Sequence, residues 1–196
     1  MRSSNFIALH HFLSQLFRDP ERHSYPRPAL MTLMQTLGDS TKALKLDATD
    51  WRILAELQRD GRITNVELAA RVGLSAPPCL RRVRELERSG VIAGYHAAFN
   101  LPRLGFHLTA FAFVRLESQA EADLSAFESQ ARQWDIVREA HMLSGETDFL
   151  LKCVAPDVVT FQNFNIRELT AAPNVNSVKT AFTIKTAKNE PGAAFE

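Results

Sequence analysis

The chain has 196 residues, 45% of them hydrophobic, with 23 Lys/Arg against 22 Asp/Glu. That is enough apolar material for one ordinary domain or two small ones, and it excludes a disordered chain. No apolar run approaches ~18 residues, so no membrane span is expected. The two cysteines, Cys79 and Cys153, have no metal-like spacing, which excludes a disulfide scaffold and fits a reduced cytoplasm.

The net charge of +1 says nothing about a polyanionic partner, but its distribution does. Residues 1–45 hold six Lys/Arg and three Asp/Glu, 46–100 hold eight and seven, and 101–196 hold nine and twelve. Within the middle segment, Ser75 to Gly90 carries four arginines and two glutamates, a local basic face of the kind that phosphate contacts need.

Residues 1–45 read as an N-terminal extension. "FIALHHFLSQLF" could form a short amphipathic helix, and "RDPERHSYPRPAL" is turn and linker chemistry. His10 and His11 interrupt the apolar stretch, so it is a poor signal peptide, and Met31 offers a second plausible start.

From Leu46 the pattern tightens. In "LDATDWRILAELQRDGR" Asp47 is the expected N-cap, with Asp50 at N3 and a Leu46–Trp51 staple. Ile53, Leu54 and Leu57 share a face, and Gly61 closes the helix. "ITNVELAARVGL" repeats the device, with Thr64 and Glu67 as a capping box, Ile63 stapled to Leu68, and Gly73 after the last turn. A third helix is expected from Ala76 or Pro78 to Ser89, with Leu80, Val83 and Leu86 inward. "VIAGYHAAFN" reads as a strand. Three short helices with a tight turn between the last two, then a strand, make a winged helix-turn-helix over 46–100, with a plain helical bundle as the alternative.

Steps of about 100° place Arg81, Arg84, Glu85 and Arg88 opposite the apolar stripe, with Arg82 on the flank. The DNA-contacting residues expected are therefore Asn65, Ser75, Arg81, Arg82, Arg84 and Arg88, in a helix-turn-helix from about Asn65 to Arg84. A solvated face with a Glu85–Arg88 pair is the bland alternative. Pro77 and Pro78 remove the amides that a capping Ser75 would engage, so its hydroxyl is left for a phosphate, a base edge or water. Cys79 reads as a small packing residue.

Beyond Phe106 the period becomes two. Phe106, Leu108, Ala110, Ala112, Val114 and Leu116 share one face of a strand; His107, Thr109, Phe111, Phe113, Arg115 and Glu117 share the other. A helix with Leu124, Phe127 and Ala131 inward follows, then strands near Ile136–Leu143 and Thr147–Val154. A second helix, about Asp157 to Ala171, shows Val158, Val159, Ile166 and Leu169 as its stripe, and Asn176–Thr186 is the last strand. The fold class is α+β: the winged helix-turn-helix, then a ferredoxin-like βαββαβ sandwich over 101–188 and a tail over 189–196. The open aromatic sheet face, with Phe111 and Phe113, is the expected dimer interface.

The segments "LDATDWRILAELQRDGRITNVELAARVGLS", "PCLRRVRELERSGVIAGY" and "HMLSGETDFLLK" resemble the Lrp/AsnC family of bacterial and archaeal transcription regulators, most of all its leucine-responsive branch. The resemblance spans about Leu46 to Lys185. It implies a DNA-binding N-terminal unit that contacts double-stranded DNA. The C-terminal unit it implies binds free amino acids, forms a homodimer and often assembles further, with an octamer as one such form. The family's G-[acid]-x-D motif falls on Gly145, Glu146 and Asp148. With His141 and Thr147 beside it, that turn is the expected effector site. Asp148 would hold the ligand's ammonium or order the turn, and the Gly145–Glu146 backbone would meet its carboxylate; the bland reading is a hairpin stapled by its own Asp148. The family usually has Ser or Thr where Pro77 stands and an aromatic where Thr147 stands. No cofactor, metal or catalytic residue is implied. The competing class is enzymatic, since relatives on the same plan resemble sirohaem decarboxylases, for which His96 and His141 are thin support.

Overall fold

The computed structural model describes residues 45–190 and 192–195. The readings of the N-terminal extension lie outside the described residues. The chain forms two compact units, divided between Asn100 and Leu101 and again between Ile184 and Lys185.

The first unit holds α1 (Ala48–Arg59), α2 (Asn65–Val72) and α3 (Ala76–Arg88). Asp47 and Thr64 cap α1 and α2, and both form the reciprocal capping boxes expected of their sequences. Helix α1 ends at Arg59 with Asp60 as its C-cap, just before Gly61. Gly73 ends α2 at φ 74°, a left-handed conformation that lets the chain turn straight into α3. Ile53, Leu54, Leu68, Ala69, Val72, Cys79, Val83 and Leu86 are the buried core of the unit.

Two expectations fail here. Leu80 is exposed and Cys79 takes the inward place, because residues 79, 83 and 86 follow the i, i+4, i+7 spacing of one helical face, whereas Leu80 is rotated off it. Residues 93–100 also form no strand. A strand needs a neighbour for its backbone groups, and this exposed segment has no ladder partner among the described residues. The tail behaves differently from an appendage, since Lys185 onward groups with the first unit. There Phe195 stacks against Trp51 at 5.6 Å between ring centroids, and Gln58 Nε2 donates to the Ala193 carbonyl at 2.7 Å.

The second unit runs β1 (Leu108–Leu116), α4 (Glu121–Ala131), β2 (Val137–Met142), β3 (Phe149–Ala155), α5 (Val158–Phe164) and β4 (Val175–Phe182). The sheet is antiparallel with order β2-β3-β1-β4. Ala110, Ala112, Val114 and Leu116 of β1 are buried, with Leu151 and Cys153 of β3 and Leu124, Phe127 and Ala131 of α4. Phe127, Trp134, Phe149 and Phe164 stack edge and face through that core. Burial pushes the Cys153 thiol up to about 12, so it is an inert packing group.

Of the stripe expected for the second helix only Leu169 turns inward. Phe161, Phe164 and Leu169 are buried, and Val158, Val159 and Ile166 are exposed. After Phe164 the helix widens into a π turn over Asn165–Leu169, in which the Thr170 amide donates to the Asn165 carbonyl at 2.8 Å. The wider turn re-aims only the residues within and after it, such as Ile166; Val158 and Val159 precede it and are exposed in the first turn of α5.

Candidate functional sites

The first site is the outer face of α3. Ser75 is its N-cap but makes no side-chain capping bond, because N2 and N3 are Pro77 and Pro78. Arg81, Arg84 and Arg88 are exposed and form no hydrogen bond or ion pair with other described residues. Three guanidiniums thus stand on one helix without a partner among the described residues, behind a glycine turn that fixes where the helix starts.

The other two DNA candidates are placed differently. Asn65 is half-buried and its Nδ2 donates to the Ala76 carbonyl at 2.8 Å, tying the head of α2 to the head of α3. Its Oδ1 is buried without a hydrogen-bond partner among the described residues. Arg82 turns away from the arginine face: its Nη1 lies 2.8 Å from Asp47 Oδ2 and 2.7 Å from Asp50 Oδ1, at the start of α1.

The second site is the turn Leu143–Asp148 between β2 and β3. Gly145 sits at φ 148°, open to glycine and strained for other residues. The Asp148 carboxylate is buried, 5% exposed. Its Oδ2 accepts the Leu116 amide at 2.7 Å and its Oδ1 accepts Gln119 Nε2 at 2.7 Å. The Asp148 amide donates to the Val114 carbonyl at 3.0 Å, and the Leu143 amide to the Asp148 carbonyl at 2.8 Å. Asp148 therefore anchors the turn to the end of β1 and is not free at its mouth. The amides of Gly145, Glu146 and Thr147 make no hydrogen bond with other described residues. Glu146 is exposed, while Gly145 and Thr147 are half-buried. Gln119, which holds the second oxygen of Asp148, carried no signal in the sequence, as it lies outside the motif.

His141 does not join the turn. The strand register aligns Glu139 with Lys152 and Phe111, and His141 with Leu150 and Phe113, so all six share the open sheet face. There Glu139 accepts from Lys152 Nζ at 2.6 Å and lies 3.4 Å from His141 Nε2. The Lys152 bond holds the Glu139 carboxyl below its usual range, with His141 adding to the effect. Phe111 is half-buried and Phe113 is 36% exposed on the same face. Met142, on the alternate face, lines a 410 Å³ groove with Phe149, Ala131 and Arg138.

The family described as winged helix-turn-helix DNA-binding matches residues 46–93, and that described as Lrp/AsnC ligand binding domain matches residues 109–193. A leucine-responsive regulatory protein of Rhizobium meliloti is 58% identical over 146 residues, covering 74% of this chain and 94% of that one. The chain belongs to the Lrp/AsnC family.

Another relative of this Lrp/AsnC protein, the leucine-responsive regulatory protein of Escherichia coli K12, is 41% identical over 143 residues, covering 73% of this chain and 87% of that one. Among solved structures, a transcriptional regulator of Neisseria meningitidis in complex with L-Met superposes with a TM-score of 0.73 at 35% identity, over 76% of this chain and 97% of that one. An AsnC family regulator of Agrobacterium tumefaciens gives 0.72 at 30% identity, with the same two coverages of 76% and 97%. The protein is a DNA-binding transcriptional regulator with a ligand-binding domain. The relatives are named as regulators, which sets aside the tetrapyrrole-enzyme alternative.

Proposed function

We propose that this regulator reads duplex DNA with the exposed face of α3 and changes that reading when a free amino acid binds its C-terminal unit, in the cytoplasm. The observation that carries the proposal is the set of three unpaired arginines, Arg81, Arg84 and Arg88, on one exposed helix face. Arginine bridges guanine O6 and N7 or binds phosphate, and the N-terminal half of such a helix is the half that enters a major groove. Ser75, without a capping bond, adds a hydroxyl at the helix head.

The effector arm rests on the turn. Its unpaired amides at Gly145, Glu146 and Thr147 suit a carboxylate, and the buried Asp148 holds them in place. The Neisseria relative solved with L-Met supports an amino acid as the ligand class. The homodimer is assigned to the open sheet face with Phe111 and Phe113, and assembly of dimers up to an octamer is part of the same reading.

Selection of bound duplexes from a random DNA pool, followed by anisotropy with the twenty amino acids, tests the proposal. Enrichment of one sequence, and a change of its affinity with an amino acid that also raises thermal stability, is expected. Failure to enrich any sequence would contradict it. Sedimentation of the Phe111→Glu/Phe113→Glu protein tests the interface: an unpaired carboxylate on an apolar contact is costly, so dissociation is expected, and an unchanged assembly would move the interface elsewhere.

A further inference from the structure

We infer that Arg82 is a positioning residue, which acts on DNA recognition through Asp47 and Asp50 and does not itself touch DNA; this rests on α3 being the recognition helix. Position in the helix alone assigns Arg82 to DNA alongside Arg81. The geometry separates the two neighbours. The Arg82 side chain is 34% exposed, and a single nitrogen, Nη1, is shared between two carboxylates at charge-assisted distances.

Those carboxylates are already occupied with one another's backbone. Asp47 Oδ1 accepts the Asp50 amide at 2.8 Å, and Asp50 Oδ2 accepts the Asp47 amide at 3.0 Å. Two carboxylates held so close repel, and the guanidinium between them relieves that repulsion. The cation is consumed locally, because two negative charges face it. A phosphate approaching Arg82 would meet a cluster with net charge −1, whereas Arg81, Arg84 and Arg88, with Glu85 on the same face, make no ion pair with a described acid and leave that face net positive.

The placement of the clamp gives it a use. It joins the first turn of α1 to the second turn of α3, across 32 residues of sequence. The Asn65 bond to the Ala76 carbonyl fixes the head of the same helix from α2. Both polar fixings therefore act on the N-terminal half of α3, the half that must meet the groove. The clamp is part-buried, with the Arg82 side chain 34% and the Asp50 side chain 14% exposed, so its loss should lower the unfolding midpoint modestly as well as release the direction of the helix.

The test is DNA affinity as a function of salt, on a duplex selected by the wild-type protein. The variants are Arg82→Gln, Asp47→Asn/Asp50→Asn, the triple combination, and Arg81→Ala as a control. The proposal predicts that Arg82→Gln weakens binding roughly tenfold, that the aspartate pair does the same, and that the triple variant is no weaker than either. The salt slope of Arg82→Gln should equal that of the wild type, while Arg81→Ala, if it meets a phosphate, loses about one unit of slope. Arg82→Lys should recover part of the affinity, since an ammonium reaches one carboxylate. A reduced slope for Arg82→Gln, losses that add in the triple variant, or unchanged binding by Arg82→Gln would each overturn the proposal. Unchanged binding by Arg81→Ala would instead contradict the recognition-helix reading on which it rests.

Discussion

The two candidate sites use charge in opposite ways. On α3 three charges, Arg81, Arg84 and Arg88, are exposed and make no ion pair with described residues, ready to bind a partner that arrives with its own charges. At the Gly145 turn the Asp148 carboxylate is buried with one hydrogen bond to each oxygen, and beside the exposed Glu146 the backbone amides of residues 145–147 make no hydrogen bond with other described residues. A long polyanion such as DNA can be met by flexible side chains, each adding one contact. A small zwitterion needs donors fixed before it arrives, which a buried carboxylate can supply by holding a turn still. Arg82 sits on the first site's helix but follows the second site's logic.

The largest effect should come from breaking the buried anchor. Asp148→Ala leaves the Leu116 amide and Gln119 without their acceptor, at a cost of about 2–3 kcal/mol in the C-terminal unit. Urea unfolding followed by Trp134 should show it, and the amino-acid response should vanish with it. Asp148→Asn, which keeps an acceptor, should restore most of the stability. A stable Asp148→Ala protein with a normal response would place the ligand elsewhere.

On the exposed site the same kind of truncation should leave folding alone. Arg81→Ala should weaken operator binding by roughly 1–3 kcal/mol with no change in melting temperature. A loss of stability there would show that the arginine face is part of the fold and would erase the contrast.

A smaller effect is expected at the tail. Phe195→Ala removes the ring contact with Trp51, worth about 0.5–1.5 kcal/mol to the first unit, and should alter Trp51 emission. Unchanged stability and emission would detach the tail from that unit.

The smallest effect is a pH dependence. Bonding from the Asp50 amide, with Arg82 adding, holds the Asp47 carboxyl below its usual range. A carboxyl depressed in the folded state stabilises fully above about pH 4 and loses that contribution as pH falls through its folded value. Stability of the first unit should therefore decline below about pH 4, less steeply in Asp47→Asn. An identical acid profile in that variant would assign the decline to other carboxylates.

Much of this was legible in the sequence because local rules decide it. The capping boxes at Asp47 and Thr64, the Gly73 turn and the alternation through β1 each depend on residues close in sequence. The same holds for Ser75, whose missing cap follows from Pro77 and Pro78. What was misread or left open depends on partners far along the chain. Arg82 is paired with carboxylates 32 and 35 positions earlier, and the Asp148 staple, one of the two roles its motif offered, closes on an amide at Leu116 and a side chain at Gln119 that lie outside the motif. The π turn after Phe164 changes the helical period without a proline or glycine to mark it. The segment after Val91 reads as a strand by composition, yet composition cannot supply the neighbour that a strand requires.

The most direct test is the affinity of the selected duplex measured with and without the amino acid that raises the protein's melting temperature. Coupling between two sites is typically ~1–3 kcal/mol, so the affinity should move by about 5- to 150-fold at saturation. An affinity that stays the same while the amino acid is demonstrably bound would contradict a regulator whose two sites are linked.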